Sequence, residues 1–486
     1  MLRYALVGLL SAMLLVASAM GQGVCPLNGT ASKDLICLIP QVYGPFGLSN
    51  GGPLKTFFGH EAHFNNDFVA EFRPISVAVG SQISNQPKAS PSSGITFVYD
   101  PSLKTFAPAT EQNLGPIIGE RAETIGRRRL YAAFSYQYFK FDTIDGTDLR
   151  RVPAVFQHQP FPPVAAVPFL HSCPNQSGMT GVYANDPCFV RDFIETTTRI
   201  DLKVNQYTVY ATYGVTDRLD LSVAIPVLSV RMGVGSIATI VPNSQPHPTA
   251  NNVPHQFDPT RVLSCGAASP CLQGTFTDSG NATGIGDVVF RWKDAVYKGE
   301  RAGFALGVDV RTPTGDEKNF LGSGAVGVRP FGVFSYQARI SPHADLGYEV
   351  NGSSILAGDF VGTSNTKGAL PNRFVYILGA DAAVTRRLTA AFDLYGQRLF
   401  SSPQLTRTQF TDKGACVNAA CTQVNPGSAH PDVTGTTSDL DLEDASVGLK
   451  LRPFGKLVFS ANALIKLNDH GLRARVVPLV GLGYSF

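Results

Sequence analysis

Arg475-Val476-Val477-Pro478-Leu479-Val480-Gly481-Leu482-Gly483-Tyr484-Ser485-Phe486 ends the chain, and its alternation decides the fold. Val476, Pro478, Val480, Leu482, Tyr484 and Phe486 share one face. Arg475, Val477, Leu479, Gly481, Gly483 and Ser485 share the other. The period is two, the side-chain period of a strand. Beyond the first residues no apolar run reaches 18, so spanning helices are excluded. Backbone groups in lipid must pair internally, which leaves a closed barrel as the other spanning solution.

Composition agrees. Hydrophobic residues are 44% and charged residues 16%, against about 25% charged in a soluble domain. Glycine is 48 of 486 and aromatics are 10%. A net charge of +3 gives no global case for nucleic acid, which needs a basic face. It also argues against disorder.

Residues 1–21 read as a signal peptide: Arg3 as positive n-region, Leu6 to Val16 as apolar core, Ala17-Ser18-Ala19 as the cleavage site. The competing reading, an anchor helix, is short of the roughly 20 residues a span needs. The terminal Phe486, with Tyr484 two before it, resembles the signal by which outer-membrane barrels reach their assembly machinery.

The alternation recurs upstream. Leu130, Ala132, Phe134, Tyr136 and Tyr138 alternate with small and polar residues. So do Ile200–Val204, Leu219–Ile225, Val288–Trp292, Phe304–Val310, Ala344–Val350, Ala445–Leu451 and Leu457–Ile465. Phase slips near Gln206 and Leu228 suggest bulges. Short turns near Gly214–Arg218, Lys298–Arg301, Ser341–Pro342, Thr385–Arg387 and Pro453–Lys456 alternate with long connections at about 145–191, 241–283, 314–324, 356–371 and 401–440. With the C-terminus in the periplasm, these long loops fall outside. The expected fold is all-β: a transmembrane antiparallel up-and-down barrel over 127–486 with twelve strands. A hairpin at 72–107, if it joins, makes fourteen. Residues 22–126 form an N-terminal segment, either a plug or a periplasmic piece.

Charges opposite the apolar face include Arg199, Asp201, Lys203, Asp220, Asp287, Arg291, Lys293, Asp309, Arg311, Asp345, Glu349, Lys450, Arg452, Lys466 and Arg475. An Arg or Lys on the lipid side near mid-membrane costs ~2–4 kcal/mol, so these are assigned to the lumen. They form either ion-pair ladders that fill a closed interior or the mixed-charge wall of a wet conduit.

Eight cysteines fall into four close pairs: Cys25 with Cys37, Cys173 with Cys188, Cys265 with Cys271 and Cys416 with Cys421. In an exported chain, local disulfides are the natural reading. The spacings do not match zinc motifs. His60-Glu61-Ala62-His63 is one residue short of a metalloprotease motif. His247, His255, His430 and His470 are read as solvated loop residues. His343 is expected at the periplasmic end without a serine partner, so no catalytic residue, metal or cofactor is assigned.

Several stretches carry a family resemblance: Leu114-Gly115-Pro116 with Glu120-Arg121-Ala122-Glu123-Thr124-Ile125-Gly126; Tyr213-Gly214-Val215-Thr216-Asp217-Arg218-Leu219-Asp220-Leu221; Gly284-Ile285-Gly286-Asp287-Val288; and Arg311-Thr312-Pro313-Thr314-Gly315-Asp316 followed by Gly322-Ser323-Gly324. In order and spacing they are similar to the outer-membrane family labelled as transporters or as components of a phenol meta-degradation pathway. The resemblance spans about 110–486. It implies a barrel of the bacterial outer membrane moving hydrophobic or aromatic compounds, and it assigns no substrate-binding residue. The partners expected are the lipid bilayer, the barrel-assembly machinery through Phe486, and a small solute. The alternative is a closed barrel whose outer loops carry a structural or surface-interaction role.

Overall fold

The computed structural model describes residues 24–25, 32–43, 48, 74–80, 82, 97–100, 105–108, 113–157, 191–244, 255–258, 262–265, 270–361, 365–418 and 421–486. The signal-peptide reading, the His60–His63 motif, His247, and the expected pair Cys173 and Cys188 lie outside the described residues. In chain order the strands are β1 (Phe97–Asp100), β2 (Thr105–Pro108), β3 (Leu130–Ile144), β4 (Thr147–Asp148), β5 (Val152–Gln157), β6 (Phe193–Gly214), β7 (Leu219–Val241), β8 (Gln273–Ile285), β9 (Val289–Lys298) and β10 (Ala302–Arg311). They continue with β11 (Gly327–Tyr336), β12 (Ile340–Asn351), β13 (Ser353–Ser354), β14 (Gly368–Ala369), β15 (Arg373–Ala383), β16 (Leu388–Thr411), β17 (Ala429–Leu451), β18 (Leu457–Lys466), β19 (Leu472–Ala474) and β20 (Val476–Ser485).

Every ladder of the main sheet is antiparallel, and the sheet closes. β20 pairs with both β18 and β3, and β3 pairs with β6. The Phe486 amide donates to the Leu130 carbonyl at 2.8 Å, sealing the seam. β8 and β9 both pair with β7 and act as one interrupted stave. The barrel therefore has twelve staves: β3, β6, β7, β8/β9, β10, β11, β12, β15, β16, β17, β18 and β20.

The outer surface is apolar around the whole circumference. Phe134, Leu221, Phe290, Trp292, Phe304, Leu306, Phe334, Leu346, Phe392, Val447, Phe459 and Leu482 are all solvent-accessible on the outer face. Such a continuous belt is a lipid-facing surface. No helix of the described residues is long and apolar enough to cross a membrane.

The long strands overshoot that belt. β6, β7, β16 and β17 have 22, 23, 24 and 23 residues, whereas a tilted spanning strand needs about 9–11. On β6 the outward residues are Tyr213, Val209 and Tyr207 in the belt, then Asn205, Lys203, Asp201 and Arg199 above it. This corrects the assignment of Arg199, Asp201 and Lys203 to the lumen. They face outward into water, with Lys203 and Asp201 paired at 2.8 Å. Their inward neighbours Ile200, Leu202 and Val204 are buried. Nor is there a slip at Gln206 or Leu228, because the β6–β7 register runs unbroken from Phe193↔Val241 to Gly214↔Asp220. Above the lipid the media exchange sides: water lies outside and packed chain lies inside. The hydrophobic pattern inverts while the backbone parity does not. The breaks in register fall elsewhere, at 286–288 opposite Pro226, between Phe304 and Leu306, between Leu399 and Ser402, and between Arg473 and Ala474.

Four further expectations are corrected. Most of the predicted loop 401–440 is strand, since β16–β17 pairing continues to Thr411↔Ala429. Likewise β8 begins at Gln273, inside the predicted loop 241–283. Ser341 and Pro342 lie inside β12, and the turn is at 337–339. The proposed extra hairpin does not join: β1 and β2 form a separate two-stranded sheet, and residues 74–80 are helical. Pro74 suits the first helical turn. Ile75, Val77 and Val79 are all buried, which fits a helix enclosed on every side.

Candidate luminal site

The inner face is polar toward the short-turn end and apolar above. In the upper part, Leu35, Ile36, Leu38, Ile39 and Val42 share one buried cluster with Ile200, Leu202, Val230 and Met232. Tyr43 donates to or accepts from Ser236 at 3.0 Å and meets Phe276 edge-on at 5.1 Å. The Cys25–Cys37 disulfide closes this N-terminal knot. The Cys25 amide ties it to the Phe360 carbonyl at 3.0 Å.

Residues 113–126 cross the lower lumen, bonded to strand after strand. The Leu114 amide donates to Thr389 (2.9 Å), the Glu120 amide to Asp345 (2.7 Å), the Ala122 amide to Ser335 (3.1 Å) and the Ile125 amide to Asp220 (3.0 Å). Lys450 donates to the Leu114 carbonyl at 3.3 Å, and Arg121 pairs with Asp381. At Gly214 the chains touch so closely that a Cβ would overlap the Gly126 carbonyl oxygen.

The charges form two ion-pair networks, one around Glu120 and Asp309 and one around Arg311 and Glu349. Glu120 is held by Arg291 at 2.6 Å and Lys293 at 2.9 Å. Lys293 also donates to the carbonyls of Arg121 and Glu123, each at 3.1 Å. Arg291 grips Asp309 with two hydrogen bonds, at 2.7 and 2.9 Å, and Arg329 shares that carboxylate. Arg311 joins Asp287 at 3.0 Å to Glu349 at 3.1 Å, and Glu349 also pairs with Arg373. Buried ions in a low dielectric need this degree of mutual pairing.

The motif residues meet here. Asp287 accepts from Arg311, from the Gly315 amide (3.1 Å), and from the Ser323 amide (2.8 Å) and hydroxyl (2.6 Å). A Cβ at Gly322 would overlap Asp287, so glycine admits the carboxylate. The 286–288 break in the β8/β9 stave is thus where the 312–326 connection is pinned inward.

Asp220, Asp287, Arg291, Lys293, Asp309, Arg311, Asp345, Glu349 and Lys450 all lie on the luminal side. Lys466 lies at the outer rim beside Asp469 and Thr143. Arg452 lies at the short-turn rim, donating to the Arg386 carbonyl at 3.0 Å, and not within the lumen. Arg475 is exposed, its amide donating to Asp142 at 3.3 Å. It sits in the step between β19 and β20, where strict alternation fails. The inward Arg329, Arg373, Arg473, Asp381 and Asp393, and the segment's own Glu120 and Arg121, were not singled out. The Asp345-x-x-x-Glu349 spacing on β12, with Arg373 on the next stave, was a legible cue to Arg373. His343 is buried between Asp393 (2.6 Å) and Asp381 (3.5 Å).

At the outer end, His470 is exposed as expected, whereas His255 and His430 are not solvated. His255 is fully buried against Asp192 at 2.7 Å, because β6 and β7 rise above the lipid and the β7–β8 connection packs against them. Burial pushes the Asp192 carboxyl up to about 7, against the opposing hydrogen bonds from Ser244. His430 bridges Glu195 and Asp412. Burial raises Asp412, but His430 and the amides of Gly414 and Ser428 outweigh it and hold that carboxyl low. Disulfides join Cys265–Cys271 and Cys416–Cys421 within their loops. The fourth expected bridge, from Cys173 to Cys188, is not observed among the described residues, since Cys188 and Cys173 both lie outside them. No group of three metal-ligating side chains occurs among the described residues.

Residues 193–411 match a family model described as "Putative MetA-pathway of phenol degradation". The match runs from β6 through β16 and contains the Asp220, Asp287 and Arg311–Ser323 motifs. No curated protein matches the chain. Among solved structures, an outer membrane channel from Pseudomonas putida is 12% identical, with a TM-score of 0.41 over 76% of this chain and 99% of that one. The Ralstonia pickettii toluene transporter is 11% identical, with a TM-score of 0.27 over 76% and 94%. A Pseudomonas aeruginosa FadL homologue is 9% identical, with a TM-score of 0.27 over 74% and 89%. At these scores the likenesses carry no functional inference.

Proposed function

We propose that this barrel resides in the bacterial outer membrane and passes small hydrophobic or aromatic solutes passively, with its N-terminal segment as the luminal restriction. The observation that carries the reading is the character of what fills the lumen. Much of it is a separate stretch, residues 113–126, attached to the wall by hydrogen bonds and ion pairs rather than by strand ladders. A wall that needed only to be solid has no use for a removable filling. The family match at 193–411 supports the solute class. The terminal pair Tyr484 and Phe486, in ring contact at 4.9 Å, supports delivery by the barrel-assembly machinery. The test is solute uptake into liposomes carrying the purified chain. Toluene-sized aromatics should enter faster than into empty vesicles, and faster again when Arg121→Ala and Asp220→Asn loosen the segment. Equal rates in all three would reject the reading.

A second reading rests on the tall outer walls. β5 pairs with β6, and the Val155 amide donates to Asp432 of β17 at 3.0 Å. The loops thus sit on a rigid stalk suited to surface contact. Deleting residues 412–428 should then abolish surface binding and leave uptake unchanged.

A further inference from the structure

Among the described residues, the Lys293 ammonium directs all of its hydrogen bonds at the N-terminal segment: the Glu120 carboxylate at 2.9 Å and the Arg121 and Glu123 carbonyls at 3.1 Å each. Arg291 is fixed by Asp309 through Nε and Nη2, and its remaining Nη1 meets Glu120 at 2.6 Å. Two wall cations therefore converge on one carboxylate that the wall does not supply. Beside them is a small apolar patch of Ala305, Phe331 and Val333, covered by Ala122. Phe331 lies under the guanidinium of Arg291 at 4.9 Å and under that of Arg329 at 5.8 Å. Gly307 makes room for its ring, since a Cβ there would strike it. Glu120 and Ala122 thus present a carboxylate and an adjoining apolar group to a matching pair of features.

We infer that Lys293 and Arg291, with Phe331 beside them, are the docking point for the carboxylate of a small aromatic acid, and that Glu120 is the resident carboxylate which that acid displaces. The inference rests on the transport reading and narrows its solute class. The exchange is carboxylate for carboxylate, so the charge of the site is conserved. It does not require the segment to leave. The backbone stays attached through the Glu120 amide to Asp345 and the Ile125 amide to Asp220, while the Glu120 side chain and Ala122 move off the two cations and Phe331. The ring of the acid then takes the Phe331 side, where guanidinium and aromatic faces already stack.

The test is calorimetric titration of the purified full-length chain in detergent with benzoate, propionate and benzyl alcohol, paired with benzoate uptake into liposomes. Benzoate should bind the wild type, propionate at least about tenfold more weakly, and benzyl alcohol not measurably. A tethered carboxylate competes at an effective concentration in the mM range. Glu120→Ala should therefore tighten benzoate by about tenfold, a change of ~1.4 kcal/mol. Lys293→Met should abolish benzoate binding. Lys293→Arg, which keeps the charge if the methionine variant misfolds, should retain it. Unchanged affinity in Glu120→Ala, undiminished binding in Lys293→Met, or equal binding of benzoate and propionate overturns the inference. Liposomes impermeable to every aromatic would reject transport. The calorimetry would still decide whether the cation pair takes an aromatic acid.

Discussion

Replacing Asp287 with alanine should detach the 312–326 connection from the barrel wall. The carboxylate is 1% exposed and accepts four hydrogen bonds, two of them from backbone amides of that connection. Without it, the Gly315 and Ser323 amides lose buried partners, at about 1–3 kcal/mol each. Arg311 keeps Glu349, Asn351 and the Ala325 carbonyl, so its charge is not abandoned. Breaking one arm of a buried ion pair costs about 3–5 kcal/mol. These terms overlap, so the expected loss for the whole substitution is about 3–5 kcal/mol. Asp287→Asn keeps an acceptor oxygen and should lose only about 1–2 kcal/mol. Trp292, the chain's single tryptophan, sits five residues along the same stave and reports urea unfolding in micelles. Protease cleavage within 312–326 should rise in the alanine variant before global unfolding. A loss below about 1 kcal/mol, or equal losses for alanine and asparagine, would refute the pinning role.

Gly214→Ala has no room beside the Gly126 carbonyl. It should free residues 113–126, raising aromatic uptake and exposing the segment to protease from the short-turn side. Asp192 carries a pH prediction. Its folded carboxyl is raised to about 7 from 3.8, so the native state holds a proton that the unfolded chain has released. Its contribution is most favourable below about pH 4 and is lost as pH rises toward 7. Proteolysis of the 242–272 connection should therefore be faster at pH 8 than at pH 5, and Asp192→Asn should flatten that difference. Phe290→Arg, on the lipid face, should cost ~2–4 kcal/mol in bilayer refolding. Arg199→Ala, outward but above the belt, should change stability by less than ~0.5 kcal/mol.

The barrel was readable wherever one strand face meets lipid, because lipid forces the other face to carry every charge. Asp220, Arg291, Asp309 and Glu349 fell to the lumen by that argument alone. The same rule misplaced Arg199, Asp201 and Lys203, since it holds only at membrane depth and β6 continues past Tyr207 into water. β8 escaped for a related reason. Its outward Thr275, Thr277, Ser279 and Asn281 have water outside them, so no alternation announced the strand. The luminal contacts of 113–126 were beyond reach, because pairing such as Glu120 with Lys293 joins residues 173 positions apart. Glycine motifs marked where chains approach closely, at Gly214 and Gly322, without telling which chains.

Residues 113–126 lie inside the closed barrel. A disulfide between positions 122 and 303 tests this placement most directly. A Cβ at Gly303 would sit 3.0 Å from that of Ala122, so a shift of about 0.5 Å brings the pair to the separation a disulfide needs. In native outer-membrane vesicles, Ala122→Cys with Gly303→Cys should cross-link on mild oxidation, detected by mass spectrometry of the joined peptides. Ala122→Cys with Leu306→Cys, whose second cysteine faces lipid on the same strand, should not. Cross-linking to position 306 and none to 303 would place the segment outside the barrel.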